Sequence, residues 1–164
     1  MFTDHAYSKD QLLDMERYIL KELEYQICVP TGYHFLERYL NFINAPDGLR
    51  YLSFYYAERN LQEYDMLNVR PDQFVAAAVY AALRKWMPHC EDSNIWPIEL
   101  CELTGFTEAD LIIYASNILK HVQEETVTAS RRHLVATKKK YAREKYNFVS
   151  TLTVPVLGPV RYGR

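Results

Sequence analysis

An alanine-rich segment from Pro71 to Leu83 constrains the fold more than any other feature of the sequence. It reads PDQFVAAAVYAAL and contains five alanines within seven positions. Alanine favours helix, and its small side chain lets neighbouring helices approach closely. Pro71 is typical of a first helical position, because its missing N–H would have no partner there anyway. The segment therefore predicts the central helix of a bundle, buried on most sides.

Helical periodicity also dominates the chain on both sides of this segment, and strand-like alternation is nearly absent before about residue 149. Apolar residues recur every three or four positions, as on one face of an amphipathic helix. Three such stripes are formed by Leu12, Met15, Ile19 and Leu23; by Phe35, Leu36, Tyr39, Leu40 and Ile43; and by Leu111, Ala115, Ile118 and Val122. Together with the alanine-rich segment they predict an all-α bundle of six or seven helices.

Helix boundaries are indicated by short polar and glycine signals. Ser8 with Gln11 predicts a capping box at the first helix, and Thr31 is expected to cap the second. Further helices are predicted near 49–64, from Pro97 to a stop at Gly105, after a cap formed by Thr107 and Asp110, and over 129–146. The residues from Val149 onward, which are richer in proline and glycine, predict an extended tail.

Composition excludes several classes of protein. The chain has 164 residues with a net charge of −2, so a strongly basic nucleic-acid binder is disfavoured. No apolar run approaches the roughly 20 residues needed to cross a bilayer. The N-terminal residues lack the pattern of a signal peptide. Cys28, Cys90 and Cys101 form no CxxC pair and suit free thiols in a reducing compartment, with Cys28 and Cys101 expected in the core.

Catalytic and metal-binding motifs are not found in the sequence. We see no GxSxG, no glycine-rich phosphate loop and no HExxH motif. His89 and Cys90 are adjacent, but no further ligands follow at zinc spacing. We therefore expect no enzyme activity, no cofactor and no metal.

Two features allow either a functional or a purely structural interpretation. A basic segment could bind nucleic acid or an import receptor, or it could be the solvated face of an amphipathic helix; the second is favoured because the chain is slightly acidic. Its members are Arg131, Arg132, Lys138, Lys139, Lys140, Arg143 and Lys145. Tyr51, Tyr55 and Tyr56 cannot all face one way on a helix, so at least one is expected to be exposed and available for protein contact.

Six groups of residues resemble, in order, consecutive parts of the mitotic (A/B-type) cyclins. They are Thr3–Gln11 with Met15–Glu16 and Ile19–Leu23; Val29–Thr31 with His34–Leu36 and Arg38–Tyr39; Leu61 with Tyr64–Asp65; Pro71–Gln73 before the alanines; Trp96–Pro97 with Leu103–Thr107; and Lys140–Tyr146 with Val149–Thr151. The first group is similar to the last helix of the family's first cyclin box. The remaining groups are similar to the linker and the second box.

The resemblance implies a cyclin-type five-helix bundle over roughly residues 31–126 with an additional C-terminal helix. It implies domain limits of 1–29 for the end of the first box and the linker, 30–150 for the second box and 151–164 for the tail. It also implies a non-catalytic regulatory subunit of a cyclin-dependent protein kinase, acting in cell-cycle control. A location in nucleus and cytoplasm follows from the family, and Lys138–Lys140 is compatible with import.

The chain departs from the family pattern by beginning inside the first box. In the family, most of the kinase contact comes from earlier in that box, so this chain is expected to retain little of it. Phe2, Tyr7 and Gln11 are the candidate kinase-side residues that remain.

The stripe of the first helix would also lack its usual partner. It could fold back on its own box, pair with the same helix of a second copy or swap between two copies. We expect the pairing, which gives a homodimer through Leu12, Met15, Ile19 and Leu23.

An alternative interpretation is a cyclin-fold module of the transcription-factor type that binds nucleic acid. The basic segment at 131–145 favours it. The net charge and the mitotic motifs disfavour it.

Overall fold

The computed structural model describes residues 6–87, 95–127, 135–155 and 157. These ranges contain helices and turns and no strand, which confirms the predicted all-α class. The chain divides into a first unit, Met1–Pro30, and a second unit, Thr31–Arg164. No helix within the described ranges is long and apolar enough to cross a membrane.

Seven α-helices lie in the described ranges. They are α1 Lys9–Glu22 in the first unit, and α2 Gly32–Phe42, α3 Asp47–Asn60, α4 Pro71–Trp86, α5 Ile98–Thr104, α6 Glu108–Val127 and α7 Ala136–Tyr141 in the second. Short 3-10 turns follow α3 at Tyr64–Asn68 and follow α7 at Glu144–Tyr146 and Val149–Thr151.

Helix α4 is the centre of the second unit, as its alanine content predicts. Every residue from Phe74 to Leu83 is buried, and the five alanines are fully inaccessible. Helices α2, α3 and α6 all pack against α4. Pro71 is the first residue of α4. A backbone N–H would have no helical acceptor at this position, so the N–H that proline lacks is not missed.

The predicted stripes of α2 and α6 face this core. On α2, Leu36, Tyr39 and Leu40 are buried, and Phe35 and Ile43 pack at the edge. The four stripe residues of α6, from Leu111 to Val122, are all buried. Helix α5 ends at Gly105, whose φ of 76° lies in the left-handed region that glycine adopts readily, confirming the predicted stop.

Two predicted helices are shorter than expected. The helix predicted over 49–64 ends at Asn60, because the buried Asn60 side chain bonds across to α6 while the chain turns away. The described part of the helix predicted over 129–146 ends at Tyr141. The helix ends there because Arg143 adopts an extended conformation, with φ −88° and ψ 153°, and a 3-10 turn follows at Glu144–Tyr146.

The tail is more ordered than an extended segment. Val149 and Ser150 are buried, and the Ser150 hydroxyl donates to the Lys138 carbonyl at 2.8 Å. The Lys85 ammonium donates to the Thr153 hydroxyl at 2.8 Å. These contacts hold the chain from Val149 to Thr153 against the bundle.

Two expectations about side-chain burial are wrong. Tyr55 and Tyr56 are both buried and Tyr51 is partly buried, so none of the three is exposed. α3 contacts α4 on one side and α7 on another, which covers more of its surface than one amphipathic face. Cys28 is exposed rather than in the core, because it lies in the linker outside any helix.

The described part of the basic segment packs on α3. The Lys140 ammonium and the Tyr141 hydroxyl both donate to Glu58 Oε2, at 2.6 and 2.9 Å. Arg131 and Arg132 lie outside the described residues, as do His89 and Cys90. Lys140 is therefore committed to an ion pair within the bundle.

Candidate protein-interaction surface

Helix α1 is defined locally by its capping residues. The backbone N–H of Gln11 donates to Ser8 Oγ at 3.2 Å, and the backbone N–H of Ser8 donates to Gln11 Oε1 at 2.8 Å. This is the predicted capping box, and it satisfies two N–H groups at the helix start. Asp10 in the first turn and Lys21 in the last turn complement the helix dipole. These local contacts set where the helix begins and stabilise both of its ends.

The apolar stripe of α1 is open to solvent. Leu12, Met15, Ile19 and Leu23, here called the α1 face, are 48–56% exposed. None of the described residues of the first unit is buried. Full burial of one such side chain is worth roughly 1.5–3 kcal/mol, so the half-exposed face retains a large driving force for association.

A second exposed apolar row continues from α1 into the linker. Leu23, Tyr25, Ile27 and Val29, here called the linker row, are 50–67% exposed. They alternate with other residues in the sequence, but residues 23–25 form a turn in which Glu24 and Tyr25 have positive φ values (49° and 57°), so the row does not lie along an extended chain. Sequence reasoning did not select Tyr25, Ile27 and Val29, although this alternation is visible in the sequence. Exposed apolar residues that follow one another along both segments are typical of a protein-binding surface.

The candidate kinase-side residues stand as follows. Tyr7 is 62% exposed and lies just before α1. Gln11 is exposed, but its side-chain oxygen is engaged by Ser8 in the capping box. Phe2 lies outside the described residues. Of the two described residues, Tyr7 has the exposed side chain that offers an apolar ring for a partner contact.

Comparison with known proteins identifies the class to which this all-helical chain belongs. Residues 30–155 match the family model described as Cyclin, C-terminal domain. The chain belongs to the cyclin family.

Individual relatives are mitotic cyclins from plants and animals. Rice Cyclin-B1-1 is 33% identical over 158 residues, covering 92% of this chain and 33% of the relative. The alfalfa G2/mitotic-specific cyclin-1 is 30% identical over 156 residues, covering 92% and 33%. The Drosophila G2/mitotic-specific cyclin-A is 30% identical over 151 residues, covering 92% and 29%. The chain thus spans about a third of the length of these relatives.

Proposed function

We propose that this chain acts as part of a non-catalytic regulatory subunit that binds and activates a cyclin-dependent protein kinase in control of the cell cycle. Its membership of the cyclin family and its similarity to proteins named as G2/mitotic-specific cyclins support the proposal. A regulatory subunit acts by holding mobile elements of the kinase in their active arrangement, which requires a contact surface and no reactive group of its own.

The proposal rests on the exposed apolar side chains of the first unit. Nine large apolar side chains of the first unit are exposed, within 25 described residues. The buried core, by contrast, begins at Leu36 and belongs to the second unit. We propose that the second unit is the stable scaffold and that the α1 face, with Tyr7, contacts the kinase.

The test is a titration of the chain into a mitotic cyclin-dependent kinase, with the phosphorylation rate of a peptide substrate as the readout. Because this chain is expected to retain little of the family's kinase contact, we expect a saturable rise in rate that is weak beside that of a full-length mitotic cyclin. A double substitution on the α1 face, Leu12→Asp with Ile19→Asp, should abolish the rise, because it places two carboxylates in the proposed contact.

A matched control carries the same change on the other side of the helix. Arg17 and Lys21 lie on the face opposite Leu12 and Ile19, so Arg17→Asp with Lys21→Asp should leave the rise intact. A chain that never increases the rate, or one whose effect survives the α1-face substitutions, would contradict the proposal.

The homodimer through the α1 face stays a prediction, and it would compete with kinase binding, because both contacts would use the α1 face. Light scattering over the micromolar range should then give twice the chain mass, and Leu12→Asp with Ile19→Asp should give a folded monomer. A monomer of the unsubstituted chain would show the prediction to be wrong.

The salt dependence of binding to duplex DNA distinguishes the nucleic-acid alternative from the proposed kinase binding. Phosphate contacts make binding fall steeply with salt concentration, whereas we expect no such binding to duplex DNA. The ion pair of Lys140 with Glu58 supports this expectation, because it removes one cation from the basic segment. A nuclear and cytoplasmic location remains part of the proposal and is checked by imaging a tagged chain.

A further inference from the structure

A cluster of polar side chains lies where the end of α3 meets α6. Glu63 and Asp65 come from the connection between α3 and α4, and His121 comes from α6. One ligand atom from each of the three lies within 4.8 Å of the others. This cluster is remote in sequence from α1, and nothing in the proposed kinase contact uses it.

Asn60 determines which nitrogen of His121 carries the proton. Asn60 is fully buried, and its Nδ2 donates to the Tyr56 carbonyl at 2.9 Å and to the Ile118 carbonyl at 3.4 Å. These two carbonyls fix the orientation of the amide, so Asn60 Oδ1 is an acceptor. His121 Nδ1 lies 2.7 Å from that oxygen and must donate to it. In the neutral ring, Nε2 therefore carries a free lone pair.

The lone pair of Nε2 faces a second electron-rich atom. His121 Nε2 lies 3.4 Å from Asp65 Oδ2. A charge-assisted N–H···O bond would be shorter, about 2.7–2.9 Å. Two ligand atoms on one tetrahedral zinc ion, each about 2.0–2.1 Å from the metal, lie about 3.4 Å apart. The observed spacing matches two ligands on one metal ion, and it also lies within the range of an ion pair between Asp65 and a protonated ring.

Glu63 supplies a third ligand. Its Oε1 accepts from the buried Arg59 guanidinium, and one of its oxygens lies within 4.8 Å of the ligand atoms of Asp65 and His121. Two ligands on one zinc ion are at most about 4.2 Å apart, so binding would draw the three side chains together. Two carboxylates match the charge of a divalent cation, and one imidazole with carboxylates is a ligand set that suits zinc. The positive charge of Arg59 weakens cation binding, so we expect lower affinity than at a four-ligand structural site.

We propose that Glu63, Asp65 and His121 bind a divalent zinc-type cation, with Asn60 as the residue that positions the imidazole. Such an ion would fasten the connection between α3 and α4 to α6. Donation of the other ring nitrogen to a buried acceptor is the usual arrangement of a metal-bound histidine. The proposal does not depend on the proposed kinase binding.

The test uses the full chain, freed of metal by chelator, and zinc chloride as the probe. Zinc should raise the midpoint of thermal unfolding and shift the NMR resonances of the His121 ring, while magnesium should do neither. Asp65→Asn and Glu63→Gln should each raise the zinc dissociation constant, measured from the His121 resonances, by tenfold or more. Asp65 is exposed, so its substitution leaves the fold intact.

Glu99→Gln is the matched control, since Glu99 is an exposed carboxylate on α5 away from the cluster. It should leave the His121 response unchanged. If zinc shifts other resonances but not those of His121, or shifts the His121 resonances equally in all variants, the proposed site is wrong. If zinc has no effect on the His121 resonances of the unsubstituted chain, the proposal is wrong.

Discussion

At the residue scale, Asn60 is a fully buried polar side chain with three hydrogen-bond partners. Its amide bonds to a carbonyl of its own helix, a carbonyl of α6 and the ring of His121. Buried polar groups that lose a partner cost about 1–3 kcal/mol, because the group left behind has no water to bond. Asn60 therefore joins α3 to α6 by polar contacts within an otherwise apolar interface.

Substitution of Asn60 should show this directly. Asn60→Ala should lower the free energy of unfolding by about 1–3 kcal/mol. Asn60→Asp should cost more at neutral pH, about 3–5 kcal/mol, because it buries a carboxylate facing the two carbonyls. Urea unfolding followed by circular dichroism measures both. Asn68→Ala, at an exposed position, is the control and should change stability little.

Residues such as Asn60 mark the limit of what the sequence reveals. The sequence places Asn60 near the end of a helix, where an asparagine is ordinary. Its role arises from Tyr56, Ile118 and His121, two of which lie about 60 positions away along the chain. The same holds for the proposed zinc site. The spacing of Glu63, Asp65 and His121 along the sequence matches no metal-binding motif, so only the fold brings them together.

At the element scale, the helices are the most predictable feature of the molecule. The stripe of α6 and the alanines of α4 identify buried faces, because burial in a helix repeats at a fixed period. Tyr55 and Tyr56 were not predictable in this way. The burial of Tyr55 depends on α7 packing on α3, which is visible in the ring contact of Tyr55 with Tyr141 at 5.6 Å between centroids.

Helix α4 gives the test at this scale. Ala78 is fully buried, so Ala78→Leu forces a larger side chain between packed helices and should cost about 1–3 kcal/mol. Ala109→Leu makes the same chemical change at an exposed position of α6 and should stay within about 0.5 kcal/mol. Thermal and urea unfolding of both variants measure the difference. Equal effects would contradict the central position of α4.

At the scale of the whole molecule, four buried tyrosines link stability to alkaline pH. Burial raises the pKa of Tyr39, Tyr56, Tyr80 and Tyr141. Hydrogen bonds to Glu108 and Glu58 raise the pKa further at Tyr80 and Tyr141. The folded state therefore favours the neutral phenols.

The sign of the pH dependence follows. A raised pKa contributes stability that is fully present below the unfolded value, near 10, and is lost as pH rises toward the folded value. We expect the free energy of unfolding to fall above about pH 10, and the phenolate absorbance of these residues to appear only on unfolding. Urea unfolding between pH 8 and pH 11 measures the slope.

Tyr80→Phe tests this effect at a single residue. It should reduce the slope by up to one proton, about 1.4 kcal/mol per pH unit. A full phenolate spectrum from a chain that keeps its helical circular dichroism would contradict the prediction.

The alanines of α4 also govern how such a chain can diverge over evolutionary time. Five neighbouring positions with no accessible surface admit only very small side chains, whatever happens elsewhere. Drift is therefore confined to the outer faces of the surrounding helices, where a substitution displaces water instead of another helix. Lineages can then exchange surface charges and partners freely while the spacing of the helices around α4 stays constant.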